Sequence, residues 1–210
     1  MDNLKSRYKK SLIAFLVANL AVFVVMVLGG ETSDVQQIAD VLMSEKGIFI
    51  AVAPVIILVI NGLVSPDWKA RLVFWKYSNP LPGSEAFSKY IHTDHRIDVC
   101  KLKGRWGEFP INPIDQNRLW YKMYRSVEGD VRVHEAHHDW LFARDLTAFS
   151  IIFLIAFSLM GFFAISIGTI YCVYFLALFS QYVLVAIAAK TYGKRFVSNV
   201  LVCASQEPNQ

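Results

Sequence analysis

Apolar residues gather in four long runs, at about 11–29, 47–64, 146–165 and 168–189, and between the second and third they recur at helical intervals among polar ones. A helix needs roughly 20 apolar residues to cross hydrocarbon about 30 Å thick. The four runs therefore predict four transmembrane helices. Pro54 falls inside the second and predicts a kink, whose freed backbone needs a neighbouring helix or a Ser/Thr side chain. Only the turn around Ile167-Gly168-Thr169 separates the third run from the fourth, which predicts an antiparallel hairpin. Residues 31–46 can form a short amphipathic helix at the outer surface.

The segment 65–145 reads differently. Pro66 followed by 68–76 predicts a juxtamembrane helix, which Asn79-Pro80-Leu81-Pro82-Gly83 breaks. Short helices are expected over Ser84–Ile91 and Ile97–Lys103, then a loop punctuated by Pro110 and Pro113. Asp115 can cap a helix carrying Leu119, Met123 and Tyr124. From Val131 to Leu146 the helical pattern enters the third apolar run without Gly or Pro, predicting one long helix. Aromatic residues such as Trp68, Phe74, Phe87, Trp106, Trp120 and Trp140 supply surface to bury, so this is not a disordered linker.

The expected fold class is an all-α integral membrane protein: four transmembrane helices with a small helical cytoplasmic insert between spans 2 and 3. The expected divisions are 1–64 (basic tail and first hairpin), 65–145 (insert), 146–189 (second hairpin) and 190–210 (tail). The opening basic-then-apolar stretch is read as a retained span, because its apolar run is too long for a signal peptide and lacks a small-x-small cleavage pattern.

Composition agrees with this class: of 210 residues, 55% are hydrophobic and only 18% charged. Charge placement orients the spans. Lys5, Arg7, Lys9 and Lys10 precede the first run, Lys46 alone stands in 30–46, and 65–145 carries thirteen Lys and Arg. The positive-inside rule puts both termini and 65–145 in the cytoplasm. A bacterial inner membrane is the expected location. Eleven Asp and Glu offset those cations, a balance suited to anionic membrane lipids rather than to nucleic acid. Trp68, Arg71, Trp75 and Lys76 are the expected membrane-interface residues. Cys100, Cys172 and Cys203 are too scattered for a disulfide framework. The spans carry no mid-membrane charge, which argues against an ion-coupled transporter. Their polar residues, Asn19, Asn61, Ser158, Ser180 and Gln181, suit hydrogen bonds between helices, within the chain or between protomers.

Two constellations could carry function. All five histidines lie at 92–138, as His92 and His95, then His134, His137 and His138. On a helix His134 and His138 share a face, with His137 alongside. His134-Glu135-x-x-His138 resembles the zinc motif of zincin metalloproteases, in which two histidines hold the metal and the glutamate, here Glu135, activates water. Read as H-x-x-H-H, the same residues resemble a histidine box of membrane fatty-acid desaturases and hydroxylases, which implies iron. A third ligand would come from His92, His95 or Asp94. The second constellation is Gln116, Asn117, Trp120, Tyr121, Tyr124 and Arg125, an aromatic and arginine composition typical of partner-binding hot spots.

The leading expectation is a non-enzymatic, homo-oligomeric membrane module without a cofactor, which engages a cytoplasmic protein through 65–145. In plan it resembles bacterial sensors and membrane-perturbing effectors, including those of anti-phage defence. A membrane metalloenzyme using zinc or iron is the alternative, and an oligomeric channel the second.

Overall fold

The computed structural model of the chain describes residues 2–27, 45–165 and 168–206. Of the expected outer helix over 31–46, residues 31–44 lie outside the described residues and 45–46 begin the helix that follows, and part of the turn near Gly168, 166–167, also lies outside them. Seven helices appear among the described residues: α1 (Asp2–Val27), α2 (Glu45–Leu63), α3 (Pro66–Phe74), α4 (Val99–Trp106), α5 (Pro113–Val127), α6 (Val131–Ala164) and α7 (Gly168–Gln206). Two 3₁₀ turns, Pro82–Glu85 and Tyr90–His92, take the place of the helix expected over Ser84–Ile91. No strand occurs among the described residues. Three helices, α1, α6 and α7, contain stretches long and apolar enough to cross a membrane, and α2 contributes a shorter apolar stretch, Pro54–Leu63.

The chain divides into two compact units. Unit 1 is Met1–Ser65 with Asp145–Val185; unit 2 is Pro66–Arg144 with Ala186–Gln210. Helices α6 and α7 contribute to both.

Unit 1 is held by an aromatic ladder. Phe149, Phe153 and Phe157 stand one turn apart on α6, with successive ring centroids at 6.0 Å and 5.3 Å. From α1, Phe15 meets Phe153 at 5.7 Å and Phe23 stacks on Phe157 at 4.8 Å. Tyr174 of α7 meets Phe23 at 6.1 Å with its ring tilted by 38°. The outer surface is equally apolar: Val17, Val25, Val55, Ile155, Leu159, Phe163, Leu176 and Leu184 are exposed. In water so broad an apolar surface is unfavourable; hydrocarbon imposes no such penalty. Asn19 donates from Nδ2 to the Phe15 carbonyl at 2.9 Å, and Ser150 donates to the Leu146 carbonyl at 2.9 Å, so both turn back onto their own helices.

Unit 2 has a core of its own, built from Val73 and Phe74 (α3), Leu102 (α4), Trp120, Met123 and Val127 (α5), Val133, Ala136 and Trp140 (α6), and Phe196, Val197, Val200 and Leu201 (α7). The last group comes from the segment expected to be a tail. Its apolar positions recur at helical spacing behind Lys190, Lys194 and Arg195, so α7 continues to Gln206 with one face buried. Caps set the helix starts. Asn112, not Asp115, caps α5, its Oδ1 accepting from Ile114 N at 2.9 Å, while Pro113 takes the first helical position. Asp115 instead pairs with Arg118 in the first turn. Asp98 caps α4 and Asp130 caps α6. The Arg132 hydrogen bond holds the Asp130 carboxyl down to about 2, and Arg132 also reaches Gln206 of α7 at 3.4 Å. Gly193 is needed on α7 because a Cβ there would stand 2.9 Å from Phe74 Cζ and 3.0 Å from Trp140.

Candidate functional site

Helix α5 carries all six expected partner-binding side chains and sends them to different places. Gln116 and Trp120 point into the core. Gln116 Oε1 accepts from Phe87 N and Ser88 N, each at 3.1 Å, and from Ser88 Oγ at 3.2 Å, while Nε2 donates to the Ile111 carbonyl at 3.0 Å. Its Oε1 and one Nε2 N–H are thus engaged within the unit. Trp120 lies edge-on to Phe196 at 5.2 Å and closes over Gly83, where a Cβ would come within 2.5 Å of its ring. Asn117 is half-buried at a cleft wall. Tyr124 is half-buried and turned towards α6 and α7. Tyr121 is exposed, and the sixth residue, Arg125, is exposed beside it and paired with Glu128 at 2.6 Å.

The histidines do not assemble. His134 and Glu135 are exposed on α6, His92 and His95 are exposed in the loop before α4, and His138 is half-buried. His137 turns inward, stacking on Phe196 at 4.8 Å and meeting Tyr124 edge-on at 5.2 Å. Burial lowers its pKa, as do the nearby charges of Arg144, His134 and His138, with Glu128 opposing. In its neutral form Nδ1 can accept from the Tyr124 hydroxyl, 3.1 Å away. Among the described residues no group of three or more His, Cys, Asp and Glu side chains could hold a metal ion. The helical strip that suggested a metal site is divided by the core, with His137 turned in, His134 and Glu135 exposed and His138 half-buried.

Of the expected interface residues, Arg71 meets Trp68 and Trp75 on and at the end of α3, while Lys76 turns to Glu85. Helix α3 closes with Trp75 N bonded to the Arg71 carbonyl at 2.8 Å, and Trp75 takes a left-handed φ of 54°. For a bulky side chain that conformation costs about 1–2 kcal/mol. It leaves the Trp75 ring exposed, with Lys190 Nζ 5.5 Å from its centroid. Arg71 lies between two rings, its Cζ 4.5 Å from Trp68 and 5.0 Å from Tyr77. Arg71 Nε is buried and has no acceptor among the described residues. Lys76 is paired with Glu85. Burial pushes the Glu85 carboxyl up, but the Lys76 hydrogen bond and the Lys76 and Lys89 charges outweigh it and lower its pKa.

A trough runs beside these residues. Its larger part, about 450 Å³, is bounded by Lys76, Tyr77, Glu85 and Ile111, and its smaller part, about 250 Å³, by Asp67, Arg71, Ile114 and Asn117. Asn79, Ser84 and Pro113 line both. Ser84 Oγ lies 2.7 Å from the carbonyls of Asn79 and Leu81 and fixes the loop that forms the floor. Sequence reasoning did not single out Tyr77, Asn79, Ile111 or Ile114; exposed apolar residues beside proline-rich turns were the available signal. No protein family, no curated protein and no solved structure matches this chain.

Proposed function

We propose that the chain is a non-enzymatic, four-span, self-associating module of a bacterial inner membrane. Both termini and unit 2 face the cytoplasm, and a cytoplasmic protein docks on the outer face of α5 around Tyr121 and Arg125. Support for the membrane setting comes from the outward apolar surface of unit 1 and the three long apolar helices. Pro54–Leu63 of α2 supplies the core of the remaining span.

The observation that carries the docking reading is the division of labour on α5. Gln116, Trp120 and Met123 lock the helix in the core, which leaves Tyr121 exposed on a rigid support. A preorganised aromatic beside arginine loses little entropy on binding, which is why such pairs dominate interface energetics. A photo-crosslinking amino acid at position 121 tests this in cells of the native host. A discrete adduct with a second protein, weakened by Arg125→Ala and missing when the probe replaces Trp120, is the expected result. No adduct at position 121, or the same adducts from both positions, would overturn the docking reading.

A further inference from the structure

We infer that the smaller part of the trough seats the headgroup of one anionic phospholipid, with the phosphodiester on Arg71. The inference rests on the proposed membrane setting and adds a defined ligand to it. Three observations support it independently of the partner face on α5.

The first is an unused donor. The Arg71 guanidinium faces two rings, and its buried Nε–H lacks an acceptor among the described residues. A buried donor left unmade costs about 1–3 kcal/mol, a cost that a phosphate oxygen would remove once the side chain turns that N–H into the cleft it lines. Lys76 is already committed to Glu85, and Asp67 lines the same space. One available cation beside a carboxylate suits a singly charged phosphodiester better than a doubly charged phosphomonoester.

The second is size and lining. A volume of about 250 Å³ admits a phosphodiester and a small polar head, and is below the usual range for drug-sized ligands, about 300–1,000 Å³. The Asn79 and Asn117 amides can meet headgroup hydroxyls, which favours a glycerol head.

The third is the rim. Ile114 lines the smaller part and Tyr77 the larger, Trp68 lies against Arg71, and all three are exposed, offering apolar surface that a water-soluble phosphate would not use. Helix α3 also follows directly in sequence on the apolar end of α2, where tryptophan and tyrosine favour the headgroup level.

The test uses the full chain, first extracted from membranes with alkaline carbonate and then delipidated in detergent. Native mass spectrometry follows titration with phosphatidylglycerol, phosphatidylcholine, glycerol phosphate and inorganic phosphate. Expected is one phosphatidylglycerol retained in preference to phosphatidylcholine, weakened roughly tenfold by Arg71→Gln. Lys190→Gln, which changes a cation outside the trough, should retain it. Asn117→Asp provides a second variant, placing a negative charge in the cleft without touching Arg71, and should also weaken retention. Equal binding of the two lipids, or undiminished binding in both trough variants, overturns the inference. Equal binding of glycerol phosphate overturns the assignment to lipid. Release of the wild-type chain by carbonate would instead sink the membrane setting itself.

Discussion

The Tyr124 hydroxyl lies 3.1 Å from His137 Nδ1, and Phe196 stacks on the same imidazole, so one ring joins α5, α6 and α7. Charging that ring is unfavourable because burial and the nearby charges of Arg144, His134 and His138 all lower its pKa, against Glu128. The unfolded chain, with an ordinary histidine value of 6.5, then binds more protons than the folded one as pH falls below that point. Stability contributed by neutral His137 is complete above 6.5, declines below it, and levels off under the folded-state pKa. Thermal unfolding followed by tryptophan fluorescence at about pH 7.5 and about pH 5.5 should show a drop that His137→Phe reduces. An unchanged drop in the variant would assign the pH dependence elsewhere.

Two glycines should respond in opposite directions to alanine. At Gly83 a Cβ would meet Trp120 Cε3 at 2.5 Å and Asn117 Oδ1 at 2.7 Å, so Gly83→Ala should cost about 1–3 kcal/mol by overpacking. Gly104 lies within α4 with nothing within 4 Å of such a Cβ, and Gly104→Ala should stabilise by up to about 1 kcal/mol through helix propensity. Denaturant midpoints for the two variants provide the comparison. A stabilised Gly83→Ala would show that Trp120 does not close over the loop.

Gln116 ties the 82–92 segment to α5, and its replacement by leucine should be among the more damaging single changes in unit 2. The buried Phe87 amide would lose its acceptor at about 1–3 kcal/mol, and the Ser88 amide, nearer solvent, would lose the same acceptor at less cost. Gln116→Glu keeps the acceptors but loses the bond to the Ile111 carbonyl, so it should cost less. Hydrogen exchange at the Phe87 and Ser88 amides should accelerate more in Gln116→Leu than in Gln116→Glu. Equal protection in both variants would mean that the loop is held by other contacts.

The apolar runs made α1, α6 and α7 legible from sequence, because a stretch of that length has few uses besides crossing a bilayer. The long helix from Val131 was legible too, since nothing between it and the third run breaks a helix. The end of α7 was harder. Lys190, Lys194 and Arg195 mark it as a basic tail, yet Phe196, Val197, Val200 and Leu201 already give a helical stripe for the core. Histidine placement was not legible for a related reason. Residues i, i+3 and i+4 share a broad face, but Val133, Ala136 and Trp140 fix its inward edge and draw His137 away from its exposed neighbour His134. The trough was not legible, because α3, the 75–84 loop and the start of α5 meet only in three dimensions.

The three cysteines can separate orientation from packing in one experiment. Cys100 is exposed on α4, Cys172 is exposed on the apolar part of α7, and Cys203 is buried. Burial pushes the Cys203 thiol up to about 11, and the charge and hydrogen bond of Asp130 add to this against Arg132 and Arg96. At pH 8 a thiol with that value is ionised in roughly one molecule in a thousand, and the thiolate is the reactive form. In the proposed topology Cys172 faces hydrocarbon, out of reach of a charged maleimide. Inverted membrane vesicles should therefore take up one such label, at Cys100, and right-side-out vesicles none. Label at Cys100 in right-side-out vesicles would reverse the orientation, whereas rapid label at Cys203 in either would mean that the end of α7 is not packed. Denaturant should then expose Cys203 over the same range that abolishes the Trp120 fluorescence signal, since both side chains lie in the core of unit 2.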